Sequence, residues 1–140
     1  MCGVAFGGIF LLRPAAGNAL DAKTNREIAL TCTTDMATEF HIHPVLHIYV
    51  NDEPVGIPAN VGITDACMNS IHTHTDAGVL HVEAPVKRDF TLGDFFAVWH
   101  KDFSSTTLMG NEADEAHEIT VLVNGEHVDT FEATVLRDAD

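Results

Sequence analysis

From Phe40 the chain alternates between apolar and polar positions. Ile42, Pro44, Leu46, Ile48 and Val50 fall on one parity, and His41, His43, Val45, His47 and Tyr49 on the other. Successive side chains of a strand point to opposite faces, so this period of two predicts a strand with one side against a core. Pro44 has no N–H to give to a ladder and predicts an edge or a bulge at that point. Asn51-Asp52 predicts a turn, and residues 53–63, broken by Pro54, Gly56, Pro58 and Gly62, predict the second arm of a hairpin.

A second hairpin follows. Residues 71–75 read as a short strand, Asp76-Ala77-Gly78 as a turn and residues 79–84 as the return, with Leu80, Val82 and Ala84 on one face and His81 and Glu83 on the other. At Thr91 the period changes. Leu92, Phe95, Phe96 and Trp99 are spaced i, i+3, i+4, i+7, which predicts an amphipathic helix over 91–100, with Thr91 as its N-cap and Asp94 in capping-box position. Its aromatic side chains are expected to plug the core. Ile119, Val121 and Val123 then lead into Asn124-Gly125, a strong short hairpin signal, with a return over 126–133. The closing VLRDAD reads as a turn into another strand, so the expectation is a domain whose last strand is missing.

These elements predict a β-rich α+β fold. A curved antiparallel or mixed sheet of hairpins would pack on the helix 91–100 in a β-grasp-like arrangement. The expected organisation is a truncated signal or anchor remnant over 1–17, a polar tether over 18–39 that contributes nothing to the core, and one His-rich β domain over 40–140. The remnant is read from the apolar run 4–12 followed by Ala15-Ala16-Gly17; a basic stretch before it is missing, and a run of that length cannot span a bilayer.

Charge narrows the partners. The chain of 140 residues carries 21 Asp and Glu against 7 Lys and Arg, a formal net charge of -14. Such a surface repels nucleic acid and attracts cations. The three cysteines, Cys2, Cys32 and Cys67, show no C-x-x-C spacing, which excludes a zinc ribbon and a thioredoxin-type motif. Two readings stay open for them: a Cys32–Cys67 disulfide in an extracytoplasmic domain, or thiols that pack as small hydrophobes.

The chemistry concentrates in residues 40–83. Six of the nine histidines fall there, and two pairs, His41/His43 and His72/His74, have the i, i+2 spacing that puts both rings on one face of a strand. His81 and Glu83 repeat that spacing with a carboxylate. Neutral imidazoles and carboxylates are transition-metal ligands, and sites need several that converge. The candidate ligands are therefore His41, His43, His72, His74, His81, Glu83 and Cys67. Cys67 and Met68 would suit copper, and histidines with Glu83 or Asp76 would suit zinc or a non-haem iron triad of two histidines and one acid. His47 shares the face of His43 but lies about 13 Å along the strand at ~3.3 Å per residue, too far to join it. The aliphatic faces opposite these histidines predict that the rings stand on the outer face, or on the inner face of a second pocket, and are accessible in either case. His100, His117 and His127 read as scattered surface residues.

Three functions are compatible with this pattern. The first is an extracytoplasmic copper- or zinc-binding domain for metal handling or electron transfer. The second is a metalloenzyme with Glu83 as general base. The third is a structural or ligand-binding domain whose histidines form a polar face or a pH sensor. P-loop, Rossmann, H-E-x-x-H and G-x-S-x-G motifs are all missing from the sequence.

The blocks FHIHPVLHIYVN, IPANVGI, IHTHTDAGVLHVEAP and FTLGDFFAVW together resemble a family of short archaeal and bacterial proteins of unsettled biochemical role. The resemblance spans residues 31–137 and implies an exported or membrane-anchored domain. It draws attention to His41, His43, Cys67, His72, His74, His81 and Glu83. Thr75 stands where an Asp is common in that pattern.

Overall fold

The computed structural model describes residues 22–34 and 38–138. The signal or anchor reading over 1–17 lies outside the described residues. Among the described residues no helix is long and apolar enough to cross a membrane.

In chain order the elements are α1 (Asn25–Leu30), β1 (Cys32–Thr33), β2 (Phe40–Ile42), β3 (Ile48–Val50), β4 (Glu53–Val55), β5 (Met68–Asn69), β6 (Ile71–His72), β7 (His81–Ala84), α2 (Leu92–Trp99), β8 (Thr107–Leu108), β9 (Asn111–Glu112), β10 (Val121–Val123), β11 (Glu126–Val128) and a 3-10 turn, Phe131–Ala133. This is the β-rich α+β fold that the hydrophobic pattern predicts. The strands do not merge into one curved sheet. They form several small antiparallel sheets, of which β2-β7-β6 has three strands and the others two. The single sheet of a β-grasp is therefore not formed among the described residues.

The reason is local. The alternation of burial holds across the whole of 41–50, with Ile42, Pro44 and Ile48 buried and His41, His43, Val45, His47 and Tyr49 exposed. The ladder does not hold, because Pro44 cannot donate and the strand divides into β2 and β3 on either side of it. What bridges the gap is hydrogen bonding to the second hairpin: Leu46 N–H donates to Gly78 O (2.9 Å) and Leu80 N–H to Pro44 O (2.9 Å). Gly78 sits at φ +78°, and a Cβ there would lie 2.5 Å from the Leu46 carbonyl oxygen. Only glycine lets the two chains approach so closely.

Both predicted tight turns are present. β3 and β4 pair as Ile48↔Val55 around Asn51 (φ 52°) and Asp52 (φ 65°), and β10 and β11 pair as Val121↔Val128 around Asn124 (φ 51°) and Gly125 (φ 85°). Two successive left-handed residues match the twist of the flanking strands.

α2 has the capping box expected of Thr91 and Asp94: the Thr91 hydroxyl accepts from Asp94 N–H and the Asp94 carboxylate accepts from Thr91 N–H. Phe95 and Phe96 are buried as expected. The buried face is wider than the spacing indicates, since Gly93, Asp94 and Val98 are buried too while Trp99 is only partly so.

The element that covers the remaining side is α1, which corrects the reading of 18–39 as a tether outside the core. Ile28 and Ala29 are buried in the main core cluster, and the Arg26 guanidinium reaches Asp94 (Nε to Oδ1, 2.6 Å). Few apolar residues in this segment made it look like a linker, yet two suffice for one face of a helix of six residues. Thr24 and Glu27 close its own capping box. At the other end, Thr134–Leu136 runs extended against Phe90–Leu92, with Leu92 N–H donating to Thr134 O (2.8 Å) and Leu136 N–H to Phe90 O (2.8 Å).

Candidate metal centre

The register of β2-β7-β6 decides the site. His41 lies opposite Glu83, Ile42 and Ile71 both lie opposite Val82, and His72 lies opposite His81. Cross-strand partners in an antiparallel sheet share a face. Ile42, Ile71 and Val82 thus turn to the core, while His41, His72, His81 and Glu83 turn to the other face. His43 and His74, one alternation beyond β2 and β6, join them.

The result is a compact group of donors. His72 Nε2 lies 3.1 Å from His74 Nε2 and 3.8 Å from Glu83 Oε1; His81 Nδ1 lies 3.8 Å from the same oxygen, and His41 Nε2 3.1 Å from it. Two overlapping sets have donor atoms that all lie within 4.8 Å of one another: His72, His74, His81 and Glu83, and His41, His43 and His81. Nitrogen and oxygen ligands sit about 2.0–2.2 Å from a zinc ion, which at tetrahedral angles places them about 3.4 Å apart. The 3.1 and 3.8 Å separations straddle that value, so small side-chain adjustments suffice to close the first set on one ion.

Burial differs across the group and corrects the expectation of accessible rings at His72. The His72 side chain is 0% exposed, Glu83 14%, His81 23% and His41 42%. Gly62 packs close beside His72: Asn69 N–H donates to Gly62 O (2.8 Å), and a Cβ at Gly62 would lie 3.3 Å from His72 Cβ. Alternation tells which residues share a face but not whether a second layer covers that face.

The tautomer of His72 follows from one contact. Its Nδ1 is 2.9 Å from the carbonyl oxygen of Asn69, which can only accept, so Nδ1 carries the proton and Nε2 carries the lone pair. A backbone carbonyl behind a ring is the usual device for aiming the other nitrogen at a metal. Burial is the first cause that lowers the pKa of His72; the Asn69 bond and the charge of Glu83 oppose it. Burial is also the first cause that lowers His81, followed by the neighbouring His74, His43 and His72.

His81 holds the anomaly of the group. Its Nδ1 is buried without a hydrogen-bond partner among the described residues. A buried polar nitrogen left in this way costs about 1–3 kcal/mol, and the 3.8 Å to Glu83 is too long for a hydrogen bond. It is within a small side-chain adjustment of the separation of two ligands of one ion.

Cys67 leaves the ligand set. Its sulfur is bonded to Cys32, with the Cα atoms 5.5 Å apart, so no thiolate is present there to bind a soft metal. The disulfide serves the site indirectly. It ties β1 to the residue before β5, next to the ladder that sets Cys32 opposite Asn69, whose carbonyl orients His72. His47 stands exposed beside Tyr49 and Asp76 in a separate hollow, and His100, His117 and His127 are exposed.

Asn69 and Gly62 shape the surroundings of His72 in ways its sequence neighbourhood does not announce. Asn69 acts through its backbone carbonyl, which any residue possesses, and Gly62 acts by lacking a side chain. Asp138 does the same for His43: its carboxylate accepts the His43 backbone N–H (2.9 Å) and anchors the start of that segment.

No family model, curated protein or solved structure matches this chain. The chemistry of the site therefore rests on its own residues.

Proposed function

We propose that this domain is an extracytoplasmic transition-metal-binding module that holds zinc(II) or copper(II) at His72, His74, His81 and Glu83. The observation that carries the reading is the buried, unpartnered Nδ1 of His81, aimed at a carboxylate that two other imidazoles also approach. A divalent ion would satisfy all four groups at once.

Three imidazole nitrogens and one carboxylate oxygen suit zinc(II) and copper(II) better than copper(I), which favours sulfur. With Cys67 in a disulfide, the thiolate that an electron-transfer copper centre needs is not to hand. Four protein donors fill a tetrahedral shell, which favours holding and transferring an ion over catalysis at it. The extracytoplasmic setting is supported by the disulfide, since such bonds persist in oxidising compartments. The net charge of -14 offsets the charge of a bound cation and raises its local concentration.

The test is elemental analysis of protein prepared without a histidine tag, followed by the same measurement on His72→Gln/His74→Ala. The expected result is bound zinc or copper in the parent protein and its loss, in part or whole, in the double variant. Glutamine keeps a donor near the Asn69 carbonyl, so circular dichroism should confirm an intact fold. Absence of metal from the parent protein after exposure to both ions would end this reading.

A further inference from the structure

Resting on that reading, we infer that the centre is dinuclear, with His81 bridging two ions as an imidazolate. The two donor sets share one residue, and that residue is His81. Its ring lies among the four others: centroid distances are 4.5 Å to His74, 4.7 Å to His43, 5.6 Å to His72 and 5.8 Å to His41. Imidazole has two nitrogens on opposite sides of the ring, so one histidine can serve both groups.

The inner ion takes His72, His74, Glu83 and the His81 Nδ1 that lies near Glu83. The outer ion takes His81 Nε2 with His41 and His43, whose ring centroids lie 4.4 Å apart, tilted at 47°, on the exposed side. Binding both ions removes the one remaining ring proton of neutral His81, which passes to solvent; no bond to carbon changes and no electron moves. The coupling of ligation to proton release is general for metal sites. Two divalent ions bring four positive charges, and Glu83 and the imidazolate return two negative ones in the site itself. The inner ion has four protein donors. The outer has three, at the rim, so its fourth position is open to water or to an exchanging ligand.

A rival role exists for His41. Its Nε2 is 3.1 Å from Glu83 Oε1, so it could orient the carboxylate of a single-ion site as a positioning residue. The two roles differ in stoichiometry.

The experiment loads the metal-free full chain with copper(II), measures ions retained per chain, and records the electron paramagnetic resonance signal as equivalents are added. The parent protein should retain two ions, and its copper signal should fall as the second is added, because an imidazolate bridge couples the two spins. In His41→Ala/His43→Ala, which alters only exposed rings, retention should drop from two ions to one with the full signal of one isolated copper. Two retained ions with undiminished signal would overturn the bridge. One ion in the parent protein, with the double variant also keeping one, would overturn the second ion while leaving the inner site standing. No retained ion would overturn both.

Discussion

The Nδ1 of His72 and the backbone oxygen of Asn69 are 2.9 Å apart, and this contact determines which nitrogen of a fully buried imidazole can bind a metal. Burial, against the pull of this contact, makes the ring reluctant to accept a second proton, because the charged form would have to be buried. Folding and protonation are therefore linked at this residue.

The ordinary histidine value is 6.5, and burial lowers His72 and His81 below it in the folded protein. In the unfolded chain both take up protons as pH falls through 6.5, while the folded protein resists. The unfolded state then binds more protons, so stability rises with pH and is lost on acidification below that value. Urea unfolding of the metal-free protein at pH 7.5 and 5.5 should give a lower midpoint at the lower pH. His72→Gln should flatten this difference; an equal pH dependence in parent and variant would contradict the assignment.

Removing the disulfide should weaken the fold without reducing the number of ions bound. Cys32 and Cys67 are 35 residues apart in sequence. Closing a loop of that size contributes about 3–4 kcal/mol in the chain-entropy account. Cys32→Ser/Cys67→Ser should accordingly lower the urea midpoint and leave metal stoichiometry unchanged. A drop in stoichiometry in a variant that still folds would return Cys67 to the ligand set.

Gly62 should tolerate no side chain. Its φ is +72°, and a Cβ would lie 2.7 Å from the Ile71 carbonyl oxygen and 2.9 Å from Val98 Cγ1. Both the backbone angle and the space oppose alanine, so Gly62→Ala is expected to cost about 1–3 kcal/mol. That Cβ would also lie 3.3 Å from His72 Cβ, so metal affinity should fall together with stability. Chemical unfolding and metal titration of the same variant measure the two effects.

Asp94 joins the start of α2 to α1. It is 4% exposed, accepts the Thr91 N–H at 3.0 Å and meets Arg26 of α1 at 2.6 Å. Asp94→Ala removes the capping box of α2 and its tie to α1. Loss of a cap costs about 0.5–2 kcal/mol, and the half-exposed Arg26 adds little beyond that because water screens it. Thermal unfolding should register a destabilisation in that range, while copper stoichiometry, read on strands far from this helix end, stays as in the parent protein.

Much of this was legible in the residues. The alternation from His41 to Val50 named the buried and exposed positions correctly even though Pro44 breaks the strand, because parity survives a local break that hydrogen bonding does not. Asn51-Asp52 and Asn124-Gly125 specified their turns through backbone preferences that act within a few residues. Thr91 and Asp94 placed the start of α2 for the same reason. The histidine spacing within each strand also put the rings of each pair on one side.

What the residues by themselves determined was thus short-range: period, turns, caps and which side chains share a strand face. The tertiary structure decided how strands meet. A register of His41 on Glu83 and His72 on His81 is a relation between segments far apart in the chain, and a slip of one residue would have sent each ring to the opposite face. It likewise took Cys67 out of the ligand set by bringing Cys32 beside it, and recruited α1 into the core through Ile28, Ala29 and the Arg26–Asp94 contact. The buried His81 Nδ1 is the clearest case. Whether a nitrogen has a partner depends on the atoms packed around it, and only the assembled fold brings those atoms together.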